Sequence, residues 1–90
     1  MEIAFRFFAT FREAVGERTI ERSFDEGTRV GDVLHALEAE FPDLELFEDG
    51  TLREYLSIMK NGRDVTHLEG LDTPLADGDT VSVFPPVAGG

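Results

Sequence analysis

The sequence contains no cysteine and no tryptophan, and only one of its 90 residues is a lysine. The absence of cysteine excludes disulfides, thiolate metal sites, iron–sulfur clusters and a cysteine nucleophile. His35 and His67 have no partners at metal-binding spacing, so we expect no metal site. No apolar run approaches the roughly 18 residues of a membrane span, and charged residues from Glu2 onward are unlike a secretory signal. These absences predict a cytoplasmic protein.

Positive charge is also scarce, because nineteen acidic residues stand against eight basic ones and the formal net charge is −11. Such a charge repels nucleic-acid phosphates and anionic membrane surfaces, so we expect neither as a partner. Seven of the eight basic residues are arginines. An acid excess with almost no lysine is typical of proteins from a cytosol with high salt. An ordinary acidic protein that binds a basic partner is the alternative.

Two periodicities predict the secondary structure. Alternating apolar residues indicate strands, and apolar residues at positions 30, 33, 34, 37 and 41 form one stripe of a helix. We expect a strand over 2–9, a short helix over 10–16 capped by Thr10, a strand over 18–24, the main helix over 29–41 capped by Thr28, and strands over 56–60 and 80–84. Asn61 and Gly62 are a favoured pair for a type I′ turn. The acidic stretch 42–54 is expected to be a loop with some local structure.

The order of these elements predicts the fold class. Strands before and after a single main helix indicate an α+β domain, in which the helix packs on one face of a mixed sheet. We expect the last strand in the centre of the sheet beside the first, as in the β-grasp (ubiquitin-like) fold. The prediction is one domain over 1–84 and an extended, functional tail over 85–90. We expect the free protein to be a monomer.

The last nine residues, "SVFPPVAGG", combine a strand end with a distinctive tail. Pro85 and Pro86 cannot continue a sheet and hold the chain extended. Gly89 and Gly90 have no side chains and accept almost any backbone angle, so a flexible tail could enter a narrow channel. Its carboxylate could be adenylated, and then converted to a thiocarboxylate or joined to a lysine. The predicted tail comprises Pro85, Pro86, Val87, Ala88, Gly89 and Gly90.

Three segments resemble a known family. "FFATFREAVG" and "PLADGDTVSVFPPVAGG" resemble the two ends of MoaD-family proteins, the small subunit of molybdopterin synthase, and "TRVGDVLHALEAEFP" is similar to their helix. The shortage of lysine and "SIMKNGRDV" resemble archaeal members, the small archaeal modifier proteins (SAMP), which join ubiquitin-like conjugation to sulfur carriage. The ThiS sulfur carrier shares the fold and ending but is shorter and lacks the double proline. The stretch 42–54 looks least like bacterial MoaD.

The resemblance implies a function for Gly90. A ubiquitin-activating-like enzyme of the MoeB/UbaA type would adenylate Gly90 with ATP and Mg²⁺ bound on its own side. The thiocarboxylate would then donate sulfur inside a MoaE-type large subunit of molybdopterin synthase, or Gly90 would be joined to lysines of target proteins. On this interpretation the chain binds no cofactor and is a carried substrate rather than an enzyme. The alternative is a non-covalent β-grasp adaptor whose glycine tail is incidental.

Strand alternation also predicts a docking surface. The helix-facing side chains are expected to be Ile3, Phe5, Phe7, Ile58, Val81 and Val83. Phe8, Met59 and Phe84 would then lie on the opposite sheet face and form an exposed apolar patch that binds partners. Arg6 and Arg12 could add charge contacts. The alternative is that loops cover the three apolar residues as a second small core.

Lys60 is a possible acceptor for self-conjugation, because no other lysine is present in the sequence. Any chain of this protein built on itself would have to use Lys60 or the N-terminal amine. A lysine that merely solvates the strand end before the Asn61–Gly62 turn is the alternative.

Overall fold

Residues 1–86, which the computed structural model describes, form two α-helices and seven β-strands. The helices are α1 (Ala9–Val15) and α2 (Val30–Glu40). The strands are β1 (Glu2–Phe7), β2 (Thr19–Ser23), β3 (Phe47–Glu48), β4 (Thr51–Leu52), β5 (Ser57–Lys60), β6 (Arg63–Asp64) and β7 (Thr80–Phe84). Two short 3₁₀ helices, Val65–His67 and Gly70–Asp72, lie between β6 and β7.

Five strands form a mixed sheet in the order β2-β1-β7-β5-β6. β1 is antiparallel to β2 and parallel to β7, and β7 is antiparallel to β5. β7 is therefore paired on both sides, and β2 lies at an edge. The predicted α+β architecture, with the last strand in the centre beside the first, is confirmed. β3 and β4 form a separate two-stranded sheet.

The core lies between the sheet and α2. All six side chains that were expected to face the helix are at most 2% exposed, namely Ile3, Phe5, Phe7, Ile58, Val81 and Val83. They belong to the same buried cluster as Val30, Val33, Leu34 and Leu37 of α2. Burial of one such aliphatic or aromatic side chain stabilises a fold by about 1.5–3 kcal/mol. The alternating apolar residues of the strands and the apolar stripe of α2 thus form one core.

The ends of both helices differ from the prediction. α2 begins after Arg29, whose N–H donates to the Asp32 carboxylate at 2.9 Å. Thr28 does not cap it, because its hydroxyl donates instead to the Asp25 carbonyl oxygen at 2.7 Å. Thr10 lies inside α1, which begins one residue earlier and has no side-chain cap. The predicted caps at Thr28 and Thr10 are therefore wrong. β1 ends at Phe7 because the next residue, Phe8, is the N-cap of α1.

The hairpin between β5 and β6 is as predicted. Asn61 and Gly62 both have positive φ, at +50° and +83°, as a type I′ turn requires. The Asn61 side chain also ties the turn to β7, since its Oδ1 accepts from the Thr80 N–H at 2.9 Å. This contact joins the end of β5 to the start of the central strand.

The acidic stretch 42–54 is more ordered than the sequence indicates. Leu44 and Leu46 are fully buried in the core. The Glu38 carboxylate on α2 accepts hydrogen bonds from the N–H groups of Leu46 (2.8 Å) and Phe47 (2.9 Å). Periodicity missed this segment because its two buried leucines belong to no regular element. Glu38 holds the β3–β4 hairpin against the helix.

Replacing Glu38 with alanine should destabilise the protein. The two N–H groups would lose their acceptor, and unsatisfied partly buried donors cost about 1–3 kcal/mol. Chemical denaturation of wild type and Glu38→Ala measures this loss. Glu13→Ala, at an exposed position of α1, is the matched control and should change stability by less than about 0.5 kcal/mol. Equal stability of the two variants would contradict the assigned role of Glu38.

Candidate functional site

The candidate site is the surface around the end of β7. β7 ends at Phe84, and Pro85 and Pro86 follow, both partly buried. Proline has no N–H to donate to a neighbouring strand, so the sheet stops there as the sequence predicts. The other predicted tail residues lie outside the described residues and stay predictions, namely Val87, Ala88, Gly89 and Gly90.

An aromatic stack lies beside Pro85 and Pro86, the exit of the chain from the sheet. The rings of Phe8 and Phe84 are nearly parallel, with centroids 4.1 Å apart and an interplanar angle of 11°. The two residues meet because β1 and β7 are parallel and Phe7 pairs with Val83. The Arg6 guanidinium lies 5.5 Å from the centroid of the Phe8 ring, within the range of a cation–π contact. Stacking thus braces the base of the tail against the end of β1.

Met59 lies on the same sheet face as Phe84. In the pairing of β5 with β7, Ser57 lies opposite Phe84 and Met59 lies opposite Ser82, so the two apolar side chains are two residues apart along the face. Phe8, Met59 and Phe84 are each partly exposed. The structure brings Phe8 and Phe84 into contact and places Met59 nearby. Their role in partner binding stays a prediction.

A basic cleft adjoins the aromatic stack. Its volume is about 300 Å³, and its charged lining consists of Arg6, Arg12 and Arg18. Three of the eight basic residues of a chain with net charge −11 therefore meet at one place. Sequence reasoning missed Arg18. The register of β1 with β2, which pairs Arg6 with Thr19, is the signal that could have found it.

A second groove has a volume of about 600 Å³. Pro86 lines it together with the β3–β4 hairpin and the residues that follow. Tyr55 is 81% exposed there and has a positive φ of +66°. The acidic residues of the lining are Glu48, Asp49 and Glu54. Pro86 thus lies in the lining of a groove that has three acidic side chains and one basic side chain, Arg53.

Lys60 is held within the fold. It lies two residues from Ile58 along β5, and therefore on the face that carries α2. Its Nζ donates to the Pro74 carbonyl oxygen at 2.9 Å and lies 3.7 Å from the Asp79 carboxylate. Its side chain is only 24% exposed. Lys60 could accept a second copy of the protein only after its amine leaves these two partners.

Asp79 organises the contacts around Lys60. Its carboxylate accepts from Asn61 Nδ2 at 2.9 Å and from the Ala76 N–H at 2.8 Å. Burial alone would raise the pKa of Asp79, but these hydrogen bonds and the Lys60 charge outweigh it and hold that pKa below its usual value. The ionised carboxylate is thus the form that the fold stabilises.

Residues 1–86 contain no group of three or more histidine or acidic side chains that could hold a metal ion. His35 instead stacks on Phe47, with ring centroids 3.8 Å apart. No helix within the described part of the chain has the length and apolar character to span a membrane.

The fold defines a class of protein, the small ubiquitin-like β-grasp proteins. Residues 5–90 match the ThiS family, and the chain belongs to it. It is 55% identical to small archaeal modifier protein 3 of Haloferax volcanii over 92 residues, which cover all of both chains. The prediction of a halophilic source fits this relative.

Two further relatives extend the comparison. The crystal structure of SAMP1 from Haloferax volcanii superposes with a TM-score of 0.88 at 34% identity, over the whole of both chains. The sulfur carrier protein CysO of Mycobacterium tuberculosis is 36% identical over 80 residues, 83% of each chain. The predicted β-grasp fold and the resemblance to small archaeal modifiers and sulfur carriers are confirmed.

The lowered pKa of Asp79 predicts a pH dependence of stability. A carboxyl whose pKa is lower in the folded state stabilises the fold above its unfolded pKa, near 3.9, and this contribution is lost as the pH falls through the folded pKa. We expect the urea midpoint of wild type to fall more between neutral and acidic pH than that of Asp79→Asn. Asp43→Asn, which removes an exposed carboxylate, should behave like wild type. Parallel pH profiles for all three proteins would contradict this role of Asp79.

Proposed function

We propose that this protein is a ubiquitin-like carrier whose Gly90 carboxylate is activated by a partner enzyme and then carries sulfur or joins a lysine. The observation that supports this most is the exit at β7: a doubly paired central strand ends at two prolines beside an aromatic stack and a basic cleft. Membership of the ThiS family and the end-to-end match to a small archaeal modifier also support it.

Activation would convert an inert carboxylate into a reactive acyl group. A Gly90 carboxylate oxygen attacks the α-phosphorus of ATP, pyrophosphate leaves, and an acyl adenylate forms. The ATP and Mg²⁺ belong to the partner, an activating enzyme of the MoeB/UbaA type. The contribution of this chain would be a terminus of two glycines, which have no side chains, after two prolines that restrict the backbone.

The adenylate would then have two fates. Hydrosulfide can attack the acyl carbon, so that a C–S bond forms, AMP leaves, and the sulfur loses its proton to give a thiocarboxylate at Gly90. In a MoaE-type large subunit, that sulfur would pass to a pterin precursor of the molybdenum cofactor. Alternatively, the neutral ε-amine of a target lysine attacks the same carbon, AMP leaves, and the nitrogen loses a proton to give an isopeptide bond.

The short tail determines where a partner must bind. The four residues after Pro86 span at most about 14 Å when fully extended. A partner that acts on Gly90 must therefore contact the surface around the exit. The patch of Phe8, Met59 and Phe84 offers apolar area for burial. The cleft of Arg6, Arg12 and Arg18 offers charge complementarity to an acidic partner surface.

The function is tested by expressing the tagged protein in its host with and without Gly89 and Gly90. We expect heavier conjugates, free protein with one oxygen replaced by sulfur, or both, and each must disappear with the deletion. A protease that cleaves before aspartate leaves a 12-residue branch, 79–90, on a modified lysine. If both proteins bind the same partners without any covalent product, the non-covalent adaptor is the correct alternative.

Substitution of Met59 tests the docking surface. Met59→Glu places a charge in the apolar patch without touching the core, so the fold should persist while activation of Gly90 falls at least about fivefold. Ala36→Glu adds the same charge on an exposed position of α2 and is the matched control. The measurement is the fraction of protein that carries sulfur or is conjugated, alongside urea unfolding of each variant. If the activated fraction is equal in both variants, Met59 does not belong to the interface.

A further inference from the structure

We infer that this modifier is added to its acceptors singly and is not extended into chains through Lys60, because the fold holds the Lys60 amine away from attack. The inference rests on the proposed function, since it concerns which amine can attack an activated Gly90. Lys60 is the only lysine in the sequence. The contacts of its Nζ therefore decide whether one copy can accept another through a side chain.

The Lys60 amine has two partners on well-fixed parts of the fold. Its hydrogen bond runs to the Pro74 carbonyl oxygen at 2.9 Å. Pro74 is itself bridged to Arg29 at the start of α2, and the neighbouring Thr73 carbonyl accepts from the Val30 N–H at 3.0 Å. The acceptor of the Lys60 amine is thus anchored to the main helix and does not lie on a free loop.

The second partner, Asp79, is anchored as firmly. Its carboxylate lies 3.7 Å from Lys60 Nζ and also accepts from the Asn61 side chain and the Ala76 N–H. Its own backbone carbonyl accepts from the Ala4 N–H of β1 at 3.0 Å. These bonds hold the Asp79 carboxylate in place when the Lys60 side chain turns towards solvent. Lys60 must therefore break both contacts before its nitrogen can attack.

Isopeptide formation requires the opposite arrangement. The attacking amine must be neutral, with its lone pair directed at the acyl carbon of Gly90. That carbon is held in the site of the activating partner, so the lysine must project far from its own fold. A side chain that is 24% exposed and bound to a carbonyl and a carboxylate does not project in this way.

The Met1 amino group is also engaged in the fold. It donates to the Phe24 carbonyl oxygen at 2.7 Å, and the Met1 carbonyl accepts from the Phe24 N–H at 2.8 Å. These two bonds continue the pairing of β1 with β2. Both amines of residues 1–86 are therefore hydrogen-bonded within the chain.

Arg63 provides an internal standard for the test. It pairs with Lys60 across the Asn61–Gly62 turn, and it is exposed. Arg63→Lys preserves the charge and places a lysine at an exposed position of the same hairpin. The variant therefore carries two lysines that differ chiefly in the contacts of their amines.

The test is brief acylation of folded Arg63→Lys with an N-hydroxysuccinimide ester of acetic acid, followed by peptide mass spectrometry. We expect Lys60 to react at least about tenfold more slowly than the lysine at position 63, as the loss of a hydrogen bond from a charged group implies. In denaturant the two rates should converge. Equal rates in the folded protein would overturn the inference.

Expression in the host provides a second measurement. Wild type should give conjugates without a branch on Lys60, whereas Arg63→Lys should gain self-linked branches at position 63. A Lys60 branch in wild type would overturn the inference, and so would conjugates of Arg63→Lys without self-linkage. If neither protein forms any conjugate, the conjugation part of the proposed function fails. The inference of single addition fails with it, and the acylation rates then decide only whether the fold protects the Lys60 amine.

Discussion

The pairing of β7 on both sides is the constraint on which the rest of the molecule depends. β1 and β5 flank it, so the strand has no free edge along which to slip. A shift of one residue would exchange buried Val81 and Val83 for Ser82 and Phe84 on the core face, and the buried pattern opposes this. The point at which the chain leaves the sheet is therefore fixed. So is the position of Phe84 beside Phe8.

Charge is distributed unevenly around that point. Most of the surface of a chain with net charge −11 repels acidic proteins, yet the cleft of Arg6, Arg12 and Arg18 presents three positive charges beside the exit. In the proposed function, an acidic partner is repelled elsewhere and attracted where the tail begins. Such complementarity gives orientation and association rate more than affinity. High salt would weaken it, and the apolar patch would then supply most of the binding energy.

Regular patterns were predictable from the sequence, and individual long-range contacts were not. The stripe of α2 and the alternation in β1 and β7 predicted the core, since periodicity reports which face is buried. The predicted cap at Thr28 was wrong because the Thr28 hydroxyl donates instead to the Asp25 carbonyl oxygen in the preceding turn. The bond from Lys60 to Pro74 spans 14 residues and leaves no periodic signal. Arg18 joins its cleft only through strand register, which a single sequence specifies weakly.

The proposed function requires that ATP acts on Gly90, and exchange of labelled pyrophosphate into ATP measures this step directly. The purified protein would be mixed with the ubiquitin-activating-like enzyme of its host, Mg²⁺, ATP and labelled pyrophosphate. The account predicts exchange that depends on this protein and is lost when Gly90 alone is deleted, with the fold intact. Exchange that is absent with wild type, or that is unchanged by the deletion, would contradict it.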